Sequence, residues 1–276
     1  MSLATRYPNV TEATSAWRHR TPRARLVLWV GWLLCVALFV WCWNLMTERT
    51  TWAFVHDAPS AAADLAQRSW SPRWSCMERL WAPLWDTINI ATLGTLLGIM
   101  MAVPLAFLAA SNTTPSKLIL RPVALFLIVA TRSINSLIWA LLLVSILGPG
   151  LLAGILAIAL RSIGFIGKLL YEAIEEIDES QVEAVAATGA RQTQVMHYGI
   201  VPQVLPAFYG ISVFRWDINI RESAILGLVG AGGIGAQLQA SLNVLAWPQV
   251  LLIILVILAT VAVSEWVSAR VRHAII

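Results

Sequence analysis

A chain of 276 residues that is 58% hydrophobic and only 12% charged, with a mean hydropathy of +0.73, lies far from a soluble domain, in which about a quarter of the residues carry charge. The formal net charge of +4 comes from arginines scattered over tails, loops and apolar runs, not from one basic face, which argues against a nucleic-acid partner. Cys35 and Cys42 sit inside one apolar run and Cys76 stands alone, while the four histidines are dispersed, so neither a disulfide framework nor a metal site is expected.

An apolar run of roughly 20 residues crosses about 30 Å of hydrocarbon. Six segments qualify, near 26–46, 84–110, 122–147, 151–170, 203–228 and 249–268. The spacing therefore predicts an all-α polytopic membrane protein with about six transmembrane helices embedded in lipid. Residues 1–25 form a polar tail with Arg6, Arg18, Arg20, Arg23 and Arg25, which holds the N-terminus in the cytoplasm. The run at 26–46 is too long for the apolar region of a cleaved signal, and Thr47-Glu48-Arg49 after it is no small-residue cleavage site, so it reads as an uncleaved first helix. Residues 47–83 read as an external loop or a helix along the interface, where Trp52, Trp70, Trp74 and Trp81 favour the boundary. Residues 84–276 form the core. Within it Pro104 predicts a kink, and the Gly94/Gly98 and Gly150/Gly154 pairs permit close helix contact. Counting spans from an inside N-terminus puts Lys117, Arg121, the 171–202 loop and the C-terminal Arg270 and Arg272 in the cytoplasm. It leaves Arg49, Arg68, Arg73 and Arg79 outside, against the positive-inside trend.

Charges inside the spans carry the chemistry. Arg132, Arg161, Arg215 and Arg221 stand in apolar runs beside Ser133, Asn135, Asp217, Asn219 and Glu222. Each central arginine costs roughly 2.5–3.5 kcal/mol on the insertion scale, on the order of 10 kcal/mol for four. Two explanations compete: pairing with Asp217 or Glu222 inside the bundle, or lining a water-filled route for an anion. Arginine's bidentate donors suit an oxyanion, and the route is the favoured reading. Its expected lining is Arg132, Ser133, Asn135, Arg161, Arg215, Asn219 and Arg221, although Arg215 and Arg221, six apart, do not share a helix face. Residues 230–235 read Gly-Ala-Gly-Gly-Ile-Gly, which matches the dinucleotide fingerprint in letters only. A membrane helix precedes it, not the strand of a βαβ unit. Gly230, Gly232, Gly233 and Gly235 are therefore expected to form an external turn or gate. Gly167-Lys168 lacks the rest of a Walker A loop, and no nucleophile and base pair stands out. No catalytic residue, enzyme activity or bound cofactor is expected of this chain.

In the longest polar interruption the chain reads Glu183-Ala184-Val185-Ala186-Ala187-Thr188-Gly189, with Pro202 thirteen residues after the glycine. This resembles the EAA signature of ABC importer permeases, a helix, glycine turn and helix that dock on a separate ATPase. The resemblance implies that Glu183, Ala184, Ala187, Gly189 and Pro202 belong to the coupling surface. Val185 and Gly199 depart from the family pattern. From about Leu80 onward the chain resembles permeases of the phosphonate, phosphite and hypophosphite family. The segments that carry the likeness are Thr87 to Thr95, Arg132-Ser133-Ile134-Asn135, Phe214 to Arg221, and Gly227-Leu228-Val229 with the glycine cluster. What the resemblance implies is a type I ABC importer permease fold, with 84–276 as the permease core. It further implies a homodimer in the bacterial inner membrane, two cytoplasmic ABC ATPases that bind ATP and Mg, and a periplasmic or extracellular solute-binding protein. A methionine or other small-solute ABC permease is the near alternative. A stand-alone secondary transporter is the more distant one, and no inverted repeat is evident in support of it.

Overall fold

The computed structural model describes residues 22–275; the expectations for residues 1–21 lie outside the described residues. The first helix, α1 (Pro22–Arg49), is apolar all round and uninterrupted by a helix breaker until the Thr50-Thr51 step. Its 28 residues reach about 42 Å at 1.5 Å per residue, enough to cross a bilayer. A second helix, α2 (Trp52–Ser69), takes up most of the segment read as a loop or interfacial helix. Arg68 and Asp64 pair along it at 2.8 Å. Residues up to Ala63 form one compact unit and Asp64–Ile276 form another.

The second unit is built on α3 (Met77–Ala109) and α6 (Leu151–Glu175), which lie along each other. Helix α3 starts at Met77, seven residues before the expected 84, and carries Pro83 and Pro104 inside it. Glycine explains the closeness of the central pair. A Cβ at Gly94 would lie 2.7 Å from Ile158, and one at Gly98 2.6 Å from Ser162. Around this pair pack α4 (Leu120–Ser133), α5 (Ser136–Leu147), α9 (Val201–Leu226), α10 (Gly233–Asn243) and α11 (Trp247–Ile275). One apolar cluster joins Ile90, Ala140, Ile158, Leu226 and Ala231. Another, towards the opposite end of α6, joins Ala106, Ala110, Leu170, Ile174 and Val204.

The run at 122–147 is not one straight helix: α4 and α5 meet at 90° across Ile134 and Asn135, the form of a broken span or a re-entrant pair. Ile134 is extended, and the Asn135 side chain accepts from the Leu137 amide, which starts α5 as a new helix. Gly164 permits the break, since a Cβ there would lie 2.6 Å from the Arg132 amide and 2.7 Å from the Ile128 carbonyl. The connection at 229–248 holds in its middle the 11-residue α10, set at 43° to the helical segment before it.

The two ends of this unit differ in character. At one end Arg73 N donates to the Pro248 carbonyl and Gly150 N to the Gly230 carbonyl. At the other, Glu175 accepts from Ser111 N at 2.7 Å and from Arg121 at 3.1 Å, and Asn112 donates to the Ile174 carbonyl. The polar connection between α6 and α9 leaves from this second end.

Candidate functional site

Helix α9 carries charge on two faces. Arg215, Asn219 and Glu222, at i, i+4 and i+7, fall on one face, and Asp217 and Arg221 on another. The first face meets α3 and α6. Ser162 Oγ accepts from Arg215 Nε at 3.1 Å and from Asn219 Nδ2 at 3.0 Å, and Asn219 also donates to Thr95 Oγ1 at 2.7 Å. Arg215 is 1% exposed, lies 5.1 Å from the Phe165 ring centroid and reaches Glu222 at 3.4 Å. Glu222 also faces Arg161 Nε at 3.7 Å. Arg161 Nη1 donates to the Ile134 carbonyl at 3.0 Å and the Arg132 carbonyl at 3.4 Å, the free backbone ends at the α4–α5 break. On the second face Arg221 pairs with Asp217, whose other oxygen accepts from Ser264 Oγ at 2.8 Å.

Pairing therefore accounts for three of the four span arginines: Arg161 and Arg215 share Glu222, and Arg221 holds Asp217. The favoured sequence reading set pairing second; the conformation described here has Arg215 closed off inside the bundle. Arg132 is exposed, with no carboxylate against it among the described residues, while Ser133 donates to its own helix at Ala130. Asn135 and the first turn of α5 open on a cavity of about 440 Å³, lined also by Glu222, Ile225 and Leu226. Arg161, Arg215, Asn219 and Asn135 are thus brought into one neighbourhood, and Arg221 is directed elsewhere. Sequence reasoning placed Glu222 beside the site only as a partner and did not give it a place on the cavity. Its i+7 spacing from Arg215 was the available signal. Ser162 and Thr95, which join the helices, carried none beyond being polar in apolar runs.

At the other end, α7 (Glu179–Ala187) leads through Gly189 to the short α8 (Gln192–Val195) and a π turn over Met196–Ile200. Gly189 has φ +80, a left-handed turn that glycine takes without strain. Asp178 caps α7, and bonds from the Ser180 hydroxyl and amide hold its carboxyl below the usual aspartate range. Gln203 ties this segment to α9 through Asp178 and Gly199. Val182 packs inward, and Gly199 lies close beside it: a Cβ there would come within 3.3 Å of the Val182 backbone. Glu183, Ala184, Ala187, Gly189 and Pro202 all remain exposed.

The glycine segment is a tied turn. Gly230, Gly232 and Gly233 have φ of +91, +82 and +69, and Gly235 packs against the backbone of α9. Thr87 of α3 accepts from the Ile234 amide at 2.8 Å while donating to the Pro83 carbonyl, and so caps α10 from another helix. Replacing Thr87 with Val keeps the shape and removes the acceptor of a buried amide. The expected loss is about 1–2 kcal/mol, read as a lower Tm of the purified protein with faster hydrogen exchange at Ile234. An unchanged exchange rate there would contradict the cap.

This arrangement, with a broken helix pair, a helix–glycine–helix connection at one end and a tied glycine turn at the other, has close structural parallels. The fold matches the inward-facing MetNI methionine ABC transporter with a TM-score of 0.64 over 74% of this chain and 99% of that one, at 20% identity. A second structure, an amino acid ABC transporter with histidines, matches with a TM-score of 0.62 over 72% of this chain and 95% of that one, at 20% identity. The fold is that of a type I ABC importer permease. Residues 94–275 match the family described as binding-protein-dependent transport system inner membrane component, and the chain belongs to that family. It is similar to the phosphite transport system permease protein PtxC of Stutzerimonas stutzeri, at 39% identity over 84% of this chain and 83% of that protein. It is 41% identical to the phosphate-import permease protein PhnE of Mycolicibacterium smegmatis over 82% of this chain, a match spanning 44% of that longer protein. The chain is accordingly a transport permease subunit of the inner membrane.

Proposed function

We propose that this chain is the membrane subunit of an importer for a phosphorus oxyanion (a phosphonate, phosphite or hypophosphite) and that it works by alternating access. The observation that carries the reading is the Arg161–Glu222–Arg215 cluster beside a cavity, in a chain whose relatives over most of its length are named for phosphite and phosphate import. Guanidinium groups match a phosphorus oxyanion in charge and in donor geometry. Two copies form the pathway, with the N- and C-termini in the cytoplasm. Two ATPase subunits bind ATP and Mg and receive the exposed face of Glu183, Ala184, Ala187 and Gly189 together with Pro202. A solute-binding protein delivers the anion at the end where Gly230, Gly232, Gly233 and Gly235 form the gate.

The test is ATP hydrolysis by the reconstituted permease, ATPase and binding-protein complex, titrated with phosphonate, phosphite, hypophosphite, phosphate and methionine. Stimulation by a reduced phosphorus compound is expected; stimulation by methionine alone would sink the reading. The coupling role has its own variant. A Cβ at Gly189 meets no atom within 4 Å, so the main cost of Gly189→Val is backbone strain of about 1–2 kcal/mol in an exposed turn. Solute-stimulated ATP hydrolysis is expected to fall several-fold with membrane insertion intact, and normal coupling would remove Gly189 from the docking surface.

A further inference from the structure

Glu222 stands between two guanidinium groups, with one carboxylate oxygen 3.4 Å from Arg215 Nη2 and the other 3.7 Å from Arg161 Nε. The three side chains sum to one positive charge. Solvent screens that charge only in part: Arg215 is almost wholly enclosed, Arg161 and Glu222 keep 28% and 20% of their side-chain surface exposed, and Arg161 Nε is buried without a hydrogen-bond acceptor. Asp217, the other carboxylate on this stretch of α9, is taken up by Arg221 and Ser264 on a different face. Glu222 is also the charged side chain that lines the cavity, opposite the first turn of α5. An anion entering there meets a carboxylate at the wall, with two arginines behind it.

We infer that Glu222 sets the charge of the anion this site accepts. As an internal counter-ion it cancels one of the two arginine charges, so the cluster complements a singly charged oxyanion. A doubly charged one brings a negative charge that nothing in the cluster balances, and the carboxylate at the wall repels it at short range in a site that screens less than bulk water. Discrimination of this kind comes from an element that disfavours the wrong solute. The inference rests on the oxyanion reading above and adds to it a choice between charge states. Arg161 and Arg215 supply attraction to either kind of anion, and Glu222 supplies the difference.

The experiment measures binding of hypophosphite, which carries one charge, and of sulfate, which carries two, to the purified permease–ATPase complex at neutral pH without binding protein. The wild type is expected to bind hypophosphite at least tenfold more tightly than sulfate. Glu222→Gln raises the cluster to two positive charges and is expected to shift that ratio at least tenfold towards sulfate, while Glu222→Asp keeps the wild-type ratio. An unchanged ratio in Glu222→Gln overturns the inference and leaves the oxyanion reading standing. If Glu222→Gln does not assemble, Arg161→Gln decides the matter. It brings the cluster to zero, and hypophosphite binding is expected to weaken at least tenfold; unchanged affinity overturns the inference. A wild-type complex that binds neither anion overturns the inference, and the oxyanion reading falls with it only if phosphorus oxyanions also fail to stimulate ATP hydrolysis in the complete complex with binding protein.

Discussion

Gly235→Val is expected to leave no assembled permease. A Cβ at this position would stand 2.0 Å from the Ala224 carbonyl oxygen and 2.8 Å from Gly227 Cα, and one at Gly227 would stand 2.5 Å from the Gly232 carbonyl. Every one of these atoms is backbone, so none can rotate away. The C-terminal turn of α9 and the first turn of α10 touch main chain to main chain, and a side chain between them must push two helices apart. Overpacking of a core by side chains alone costs about 1–3 kcal/mol, and a clash with fixed backbone belongs above that range, at roughly 4 kcal/mol or more. The measurement is recovery of a monodisperse protein from detergent-solubilised membranes, followed by its Tm. Gly31→Ala, where a Cβ meets no atom within 4 Å, is the control and is expected not to lower Tm, since alanine is the better helix former. Full recovery of Gly235→Val at the parental Tm would show that the two turns separate freely.

Ser162→Ala is the second large effect. Its hydroxyl accepts from Arg215 Nε and Asn219 Nδ2 at 0% exposure, so alanine removes one oxygen and deprives two buried donors. Asn219 retains Thr95 and Arg215 retains Glu222, which limits the loss to a partial one for each. At about 1–3 kcal/mol for a buried donor left short, with the charged donor at the upper end, the sum is about 2–4 kcal/mol. Tm is expected to fall by several degrees, and transport to fall further than stability does, because Arg215 loses the contact that fixes its position relative to Glu222. Ser133→Ala, at an exposed serine that bonds only to its own helix, is expected to leave Tm unchanged. Equal Tm values for Ser162→Ala and the parent would contradict the hub.

The apolar runs made the helices legible, because a membrane-spanning helix announces itself by length and composition alone. α1, α6 and α11 begin and end near their expected limits for that reason. The break in the middle of 122–147 was written in the polar cluster from Thr131 to Ser136. Hydropathy averaged over a window dilutes such a cluster, and its effect depends on Gly164 and Arg161, which stand in another helix. α10 escaped notice because its polar residues Gln237, Gln239 and Asn243 resemble a connection. At the site, the presence of span arginines beside carboxylates was plain in the sequence. Which carboxylate held which arginine was not, since the pairing of Arg161 with Glu222 depends on how α6 faces α9. The helix–glycine–helix form of the connection between α6 and α9 was legible as well, since its turn needs only Gly189 and its φ of +80.

The bend between α4 and α5 bears on how the chain is made. The two arms have 14 and 12 residues, about 21 and 18 Å of helix, and neither alone bridges a hydrocarbon layer of about 30 Å. Their facing ends leave the Arg132 and Ile134 carbonyls without a partner inside the hairpin, and the group that satisfies them, Arg161, lies 27 residues beyond Ile134 in the chain. Unpaired carbonyls are costly in lipid. The hairpin therefore leaves the translocation machinery as an unfinished piece and settles only when the following helix arrives beside it. Biogenesis of this subunit is ordered by that dependence: a nascent chain stopped before Arg161 holds a membrane element that its own sequence cannot complete.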